Sequence, residues 1–231
     1  MDIALNNTKI GVWGDSVLLG VVLDEVAGKY RVLKENAVEL CSQAMKMPIQ
    51  NFSKFGSTVE KGKQRLLNYL EKGKLCDAAV LEFGGNDCNL NWSEVSAHPD
   101  REHIPAVPLK KFAEQVQDMV TALRNKGVRP LITSLPPIHP ERFLNWVVSK
   151  GGLDKSRILQ YLGDTHHIYR HQERYSLELS RIARENQCEF VDIRAAFLDR
   201  PRYGDLLCAD GMHPNERGQE LIRTTLMRAF G

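Results

Sequence analysis

Short apolar runs that end at glycine or proline alternate along this chain with stretches whose apolar residues recur every three or four positions. That alternation of strand-like and helix-like periods is the mark of an α/β fold, in which helices carry the chain back between parallel strands. The strand candidates are Ile10 to Trp13, Ile49 to Phe52, Ala78 to Phe83, Leu131 to Leu135 and Phe190 to Ile193. Ala78 to Phe83 is apolar on nearly every position, as expected of a parallel strand covered on both faces. Glu82 interrupts it, which suggests a paired charge or an edge position. Helices are expected over 34–45, from Ser57 or Thr58 as cap through Leu66 and Leu70 to Gly73, and from Pro108 through Phe112, Val116 and Leu123 to Gly127. A further long helix runs through Tyr175, Leu179 and Ile182 to Asn186, and a last one carries Leu221, Ile222, Leu226, Ala229 and Phe230.

At 231 residues without internal repeats, the whole chain, 1–231, is expected to form one domain. Two stretches do not follow the alternation, and a third is mixed. Val17 to Tyr30, broken by Gly20 and Gly28, is either a short helix or a loop. Asn89 to Ala106 and Ile138 to His171 each follow a strand candidate at its carboxyl end, where α/β sheets place their sites. Both, near 89–106 and 138–171, are candidate substrate walls or lids, with surface packing or a contact between copies of the chain as the plain alternative.

Composition excludes several classes of partner. The 31 basic and 29 acidic residues are interspersed, so nothing predicts the dense positive field that nucleic acid requires. No apolar run reaches the length of a membrane span. Met1 to Thr8 lacks a basic region leading into an apolar core, so a cytoplasmic location is expected. The five cysteines, Cys41, Cys76, Cys88, Cys188 and Cys208, never fall as Cys-x-x-Cys, which indicates neither a disulfide framework nor a zinc ribbon. With no Gly-x-Gly-x-x-Gly and no Gly-Lys-Ser/Thr loop, no nucleotide cofactor is expected. His167 and His171 are four apart, a spacing that suits two metal ligands on one helical face, but no third ligand accompanies them; a solvated face or a lid contact is the better reading, and no metal is expected.

The chemistry concentrates where the first strand ends, at Gly14-Asp15-Ser16. A serine on a strand-to-helix turn is placed to act as a nucleophile once a base takes its proton. Asp210-Gly211-Met212-His213-Pro214 supplies a candidate: Asp210 can accept from Nδ1 of His213, leaving Nε2 to face Ser16. Acyl transfer also needs donors for the developing oxyanion. The Ser16 N–H, the N–H of Gly56 and the side-chain amide of Asn86, after Gly84-Gly85 at a strand end, are the candidates. Asp15 and Asp87 flank these groups and are read as fixing their loops. Cys88 and Cys208 lie two residues from Asn86 and Asp210 and border the same region.

Gly14-Asp15-Ser16, Gly56 in Phe55-Gly56-Ser57-Thr58, Gly84-Gly85-Asn86-Asp87 and Asp210-Gly211-Met212-His213-Pro214 together resemble the four sequence blocks of the SGNH hydrolases, the GDSL esterase/lipase family, in the family's order. One departure is Val17, where the family name expects leucine. The resemblance implies a three-layer α/β/α sandwich around a central parallel sheet of about five strands, flavodoxin-like in outline. It implies Ser16 as nucleophile, His213 as base and acid, Asp210 as its orienting carboxylate, and Ser16, Gly56 and Asn86 as the oxyanion hole. The expected activity is hydrolysis of a small-molecule acyl ester, an O-acyl or O-acetyl ester with an acylated sugar among the candidates, through an acyl-enzyme that needs no cofactor. Transfer of the acyl group to a sugar or alcohol is the alternative, and a binding domain without turnover is a third reading. Self-association into a homo-oligomer is left open.

Overall fold

The computed structural model describes residues 9–73 and 76–230; the stretch 1–8, read above for a leader, lies outside them. In chain order the elements are β1 (Ile10–Gly14), α1 (Ser16–Leu19), β2 (Val21–Asp24), β3 (Lys29–Val32), α2 (Ala37–Met45), β4 (Ile49–Asn51), α3 (Val59–Leu70), β5 (Ala78–Glu82) and α4 (Trp92–Ala97). They continue with α5 (Leu109–Asn125), β6 (Arg129–Thr133), α6 (Pro140–Gly151), α7 (Lys155–Leu162), α8 (His166–Glu185), β7 (Glu189–Val191), α9 (Ile193–Leu198) and α10 (Glu216–Phe230).

Five strands form one parallel sheet in the order β4-β1-β5-β6-β7, with Ile10 level with Ile49 on one side and Ala78 on the other. This is the doubly wound order of flavodoxin-like folds, whose strand order reverses between the first and third strands. Here that switch point lies between β1 and β5, so the residues that follow those two strands face one crevice.

Strand pleating sends alternate residues to opposite faces, and each face finds its own helical layer. Trp13, Ala79, Leu81 and Ile132 pack with α3, α5 and α8 through Leu66, Phe112, Met119 and Leu179. Ile10, Val12, Val80 and Leu131 pack with α2, α9 and α10 through Val38, Phe197, Ile222 and Leu226. Burying both faces explains why the strands read as continuous apolar runs.

Three local expectations change. Val17 to Tyr30 is neither helix nor loop throughout: one helical turn, α1, ends at left-handed Gly20, and β2 and β3 then form an antiparallel hairpin. Helix α3 has Thr58 at its cap position but no side-chain cap there; the Asp87 carboxylate, arriving from another loop, accepts the Val59 N–H at 2.8 Å. Glu82 is neither paired with a cation nor on an edge, because β5 is the middle strand of the sheet and the side chain is wholly buried.

The stretch 138–171 is mainly helical, comprising α6, α7 and the start of α8. Proline at the first turn of α6 and left-handed Gly152 after its last are the signature of a helix begun and ended by design of sequence. Together with Leu90 and Val95 from 89–106, this stretch buries a separate apolar cluster of Phe143, Leu144, Ile158 and Leu162 at one end of the sheet.

Candidate active site

Ser16 occupies the first position of α1, directly beyond β1. The turn is tight because Asp15 bonds in three directions at once: its N–H donates to Glu82 Oε2 at 3.2 Å, and its carboxylate accepts from the Val17 N–H at 2.9 Å and from Asn86 Nδ2 at 3.0 Å. Gly14 leaves room for that packing, since a Cβ there would stand 3.0 Å from Glu82 Oε2.

The Asp210 loop enters the same crevice ahead of α10. Asp210 Oδ1 accepts the backbone N–H groups of Met212 and His213, closing an Asx turn that aims the imidazole. Nδ1 of His213 pairs with Asp210 Oδ2 at 2.7 Å, and Nε2 pairs with Ser16 Oγ at 2.9 Å. With the serine hydroxyl donating, the two bonds form a continuous chain from hydroxyl to carboxylate. All three side chains are buried. Burial pushes the Asp210 carboxyl up, but the His213 hydrogen bond, the imidazole's charge and the two N–H donors outweigh it and hold it below its ordinary value. Asp210 therefore stays ionised and can accept a hydrogen on Nδ1, the arrangement in which Nε2 faces Ser16 as an acceptor.

Gly56 and Asn86 line the same cavity as Ser16 and His213. Gly56 has a left-handed φ of +65°, which is why glycine is needed there; a Cβ would meet nothing within 4 Å, so steric clash is not the reason. Among the described residues no acceptor engages the N–H of Ser16 or of Gly56. Both amide hydrogens of Asn86 are occupied, by Asp15 Oδ2 and by Ser57 O at 3.2 Å. To meet an oxyanion, the amide has to exchange one of them.

Beneath these groups sit three carboxyls, Asp15, Glu82 and Asp87. Burial raises all three: Glu82 well above the usual range, with Asp15's charge adding to the rise, and Asp87 up to about 7. Cys88 is buried and held as the thiol, its Sγ donating to Gly85 O, while Cys208, pushed up to about 11 by burial, accepts the Leu23 N–H. Neither is a thiolate. His171 Nε2 bonds Cys88 O at 3.0 Å, and no group of three metal-ligating side chains occurs among the described residues.

The local sequence did not point to the aromatic cover over His213. Tyr30, from the hairpin, stands 4.9 Å from the His213 ring, and Phe55, 5.4 Å from Tyr30, stacks on the same imidazole at 6.2 Å. Phe55 adjoins Gly56, which was its only available signal.

The model of the GDSL-like lipase/acylhydrolase family matches residues 12–221. The chain belongs to that family. No curated protein sequence matches it. Among solved structures, a lipase/acylhydrolase from Enterococcus faecalis has 20% identity over 96% of this chain and 94% of its own, with a TM-score of 0.66. The psychrotrophic esterase EstA from Pseudoalteromonas sp. has 18% identity over 96% of each chain and a TM-score of 0.62. A catalytic mutant of Axe2, an acetylxylan esterase from Geobacillus stearothermophilus, has 18% identity, covers 97% of this chain and 94% of its own, and has a TM-score of 0.64. These likenesses are of fold. Within the GDSL-like fold, the four blocks of this member lie at the carboxyl edge of the sheet, two of them after β1 and β5. Among the described residues no helix is long and apolar enough to cross a membrane.

Proposed function

We propose that the chain is a serine esterase that cleaves carboxylic esters through an acyl-enzyme on Ser16. The observation that carries this reading is the hydrogen-bonded chain from Ser16 Oγ through His213 to Asp210, set in the wall of a cavity of about 490 Å³. In the first half, Nε2 takes the hydroxyl proton as Oγ attacks the carbonyl carbon, and Asp210 stabilises the imidazolium. The oxyanion turns toward the free N–H groups of Ser16 and Gly56, with Asn86 joining once its amide releases Ser57 O. As the ester C–O bond breaks, His213 returns its proton to the departing alcohol oxygen. In the second half His213 deprotonates water, whose attack forms the free acid and restores the serine hydroxyl.

The reading treats the chain as one domain in which 89–106 and 138–171 wall the substrate, in keeping with Leu90, Trp92, Phe143 and Trp146 all facing the cavity. A fluorophosphonate probe tests it: labelling should map to Ser16, and Ser16→Ala should abolish both labelling and hydrolysis of a p-nitrophenyl ester. Sustained turnover by the alanine variant would reject the mechanism.

A further inference from the structure

We propose that the cavity beside Ser16 is an acyl slot built for medium-length acyl chains, with the helices of 138–171 as its inner wall. The proposal rests on the esterase reading above and adds which side of the ester the cavity selects.

Size is the first argument. A dry cavity of about 150 Å³ lined by leucine, isoleucine and phenylalanine takes a benzene molecule. At about 490 Å³ this one is far larger, so an acetyl group would leave most of it empty.

Lining is the second. Beyond the serine much of the wall is apolar, with Leu135, Ile138, Phe143, Val147, Leu162 and Ile168 offering dispersion contacts and no hydrogen bonds. Several polar atoms on the same wall are already bonded within the protein. Nε2 of His171 is bonded to Cys88 O, Gln172 donates to Pro136 O and accepts from Arg194 Nη2, and Asn89 Oδ1 accepts from Trp92 Nε1. Along the apolar part of this wall a sugar would lose water hydrogen bonds without recovering them, whereas a hydrocarbon chain loses none.

Continuity with the chemistry is the third. Met212, between Asp210 and His213, packs against the same apolar cluster as Phe143 and Leu162. Gly211 O accepts the His139 N–H at 2.7 Å, and a Cβ on Gly211 would stand 2.7 Å from His139 O, so the base-bearing loop and the start of α6 are seated on each other. The slot wall and the catalytic loop form one packed unit, and an acyl chain in the slot is presented directly to Oγ.

The test is a series of p-nitrophenyl esters from acetyl to dodecanoyl, with active sites counted by fluorophosphonate labelling. Each methylene buried should raise kcat/KM by about fourfold, through butanoyl and hexanoyl to a maximum near octanoyl or decanoyl. Val147→Trp, a filling change at a half-buried wall position, should lower the octanoyl-to-acetyl ratio at least tenfold; if that variant misfolds, the same ratio is read on Val147→Phe. Full labelling of Ser16 with acetyl and octanoyl esters turned over equally, or acetyl faster, would overturn the slot while leaving the esterase standing. Absence of both labelling and turnover would remove the esterase reading and the slot with it.

Discussion

The backbone N–H of Asp15 donates to Oε2 of Glu82 at 3.2 Å, across the switch point between β1 and β5. The contact joins the residue before Ser16 to the last residue of the middle strand, four positions before Asn86. Among the described residues no cation pairs with Glu82, and burial together with the charge of Asp15 favours its protonated form. A neutral carboxyl here serves as a polar spacer between the two loops that carry the proposed nucleophile and the proposed oxyanion donor.

Glu82→Gln should therefore retain most activity and stability, because a neutral amide oxygen can still accept the Asp15 N–H. Glu82→Leu leaves that buried donor unpaired, at a cost of about 1–3 kcal/mol, and loosens the turn at Ser16. Urea unfolding and kcat for the pair distinguish the two; equal losses in both variants would show that the charge itself matters.

Asp87 adds a pH dependence with a definite sign. Its carboxyl rises from an ordinary 3.8 to about 7 on folding, so the folded state holds the proton more tightly and stability declines as pH climbs from about 4 to 7. At about 1.4 kcal/mol per unit, the contribution is at most about 4 kcal/mol. Asp87→Asn keeps an acceptor for the Val59 N–H and should flatten this decline in Tm measured between pH 5 and pH 8.

Much of this arrangement was legible in sequence, and what was not has a physical reason. β1, β5 and the loops after them read clearly because a strand buried on both faces is a continuous apolar run, and glycine marks where it stops. Asp210 and His213 were legible because their pairing is local, an Asx turn within four residues. The hairpin of Val21–Asp24 and Lys29–Val32 was not, because β3 is largely exposed and lacks an apolar signature. Glu82 is not legible because a charged letter in a strand suggests an ion pair or an edge, and only the fold reveals the burial and the neighbouring carboxyls that raise its pKa. The helix over Pro140–Gly151 carried its own start and stop signals, but the half-buried Trp146, Val147 and Val148 blurred its apolar stripe.

Asn86 is the donor whose role depends on a rearrangement. Asn86→Ala removes the bonds to Asp15 and Ser57 as well as the proposed oxyanion contact, and should lower kcat by about 10²–10³-fold. KM should change little, because the contact strengthens only as charge develops. A large rise in KM with kcat intact would assign Asn86 to ground-state binding instead.

Asp210 governs both orientation and acid stability. Its carboxyl is lowered on folding, so its contribution is present above the ordinary aspartate range and is lost as pH falls through that range toward the folded value. Asp210→Asn should lower kcat by about 10³–10⁴-fold, because an amide that donates to Nδ1 favours the tautomer with its hydrogen on Nε2, which cannot accept from Ser16. The variant should also lose less Tm than the parent protein when pH is lowered from 5 to 3, and it should still be labelled by fluorophosphonate, only slowly. A variant with near-parental kcat would mean that the 2.7 Å contact holds the loop together without setting the imidazole's tautomer.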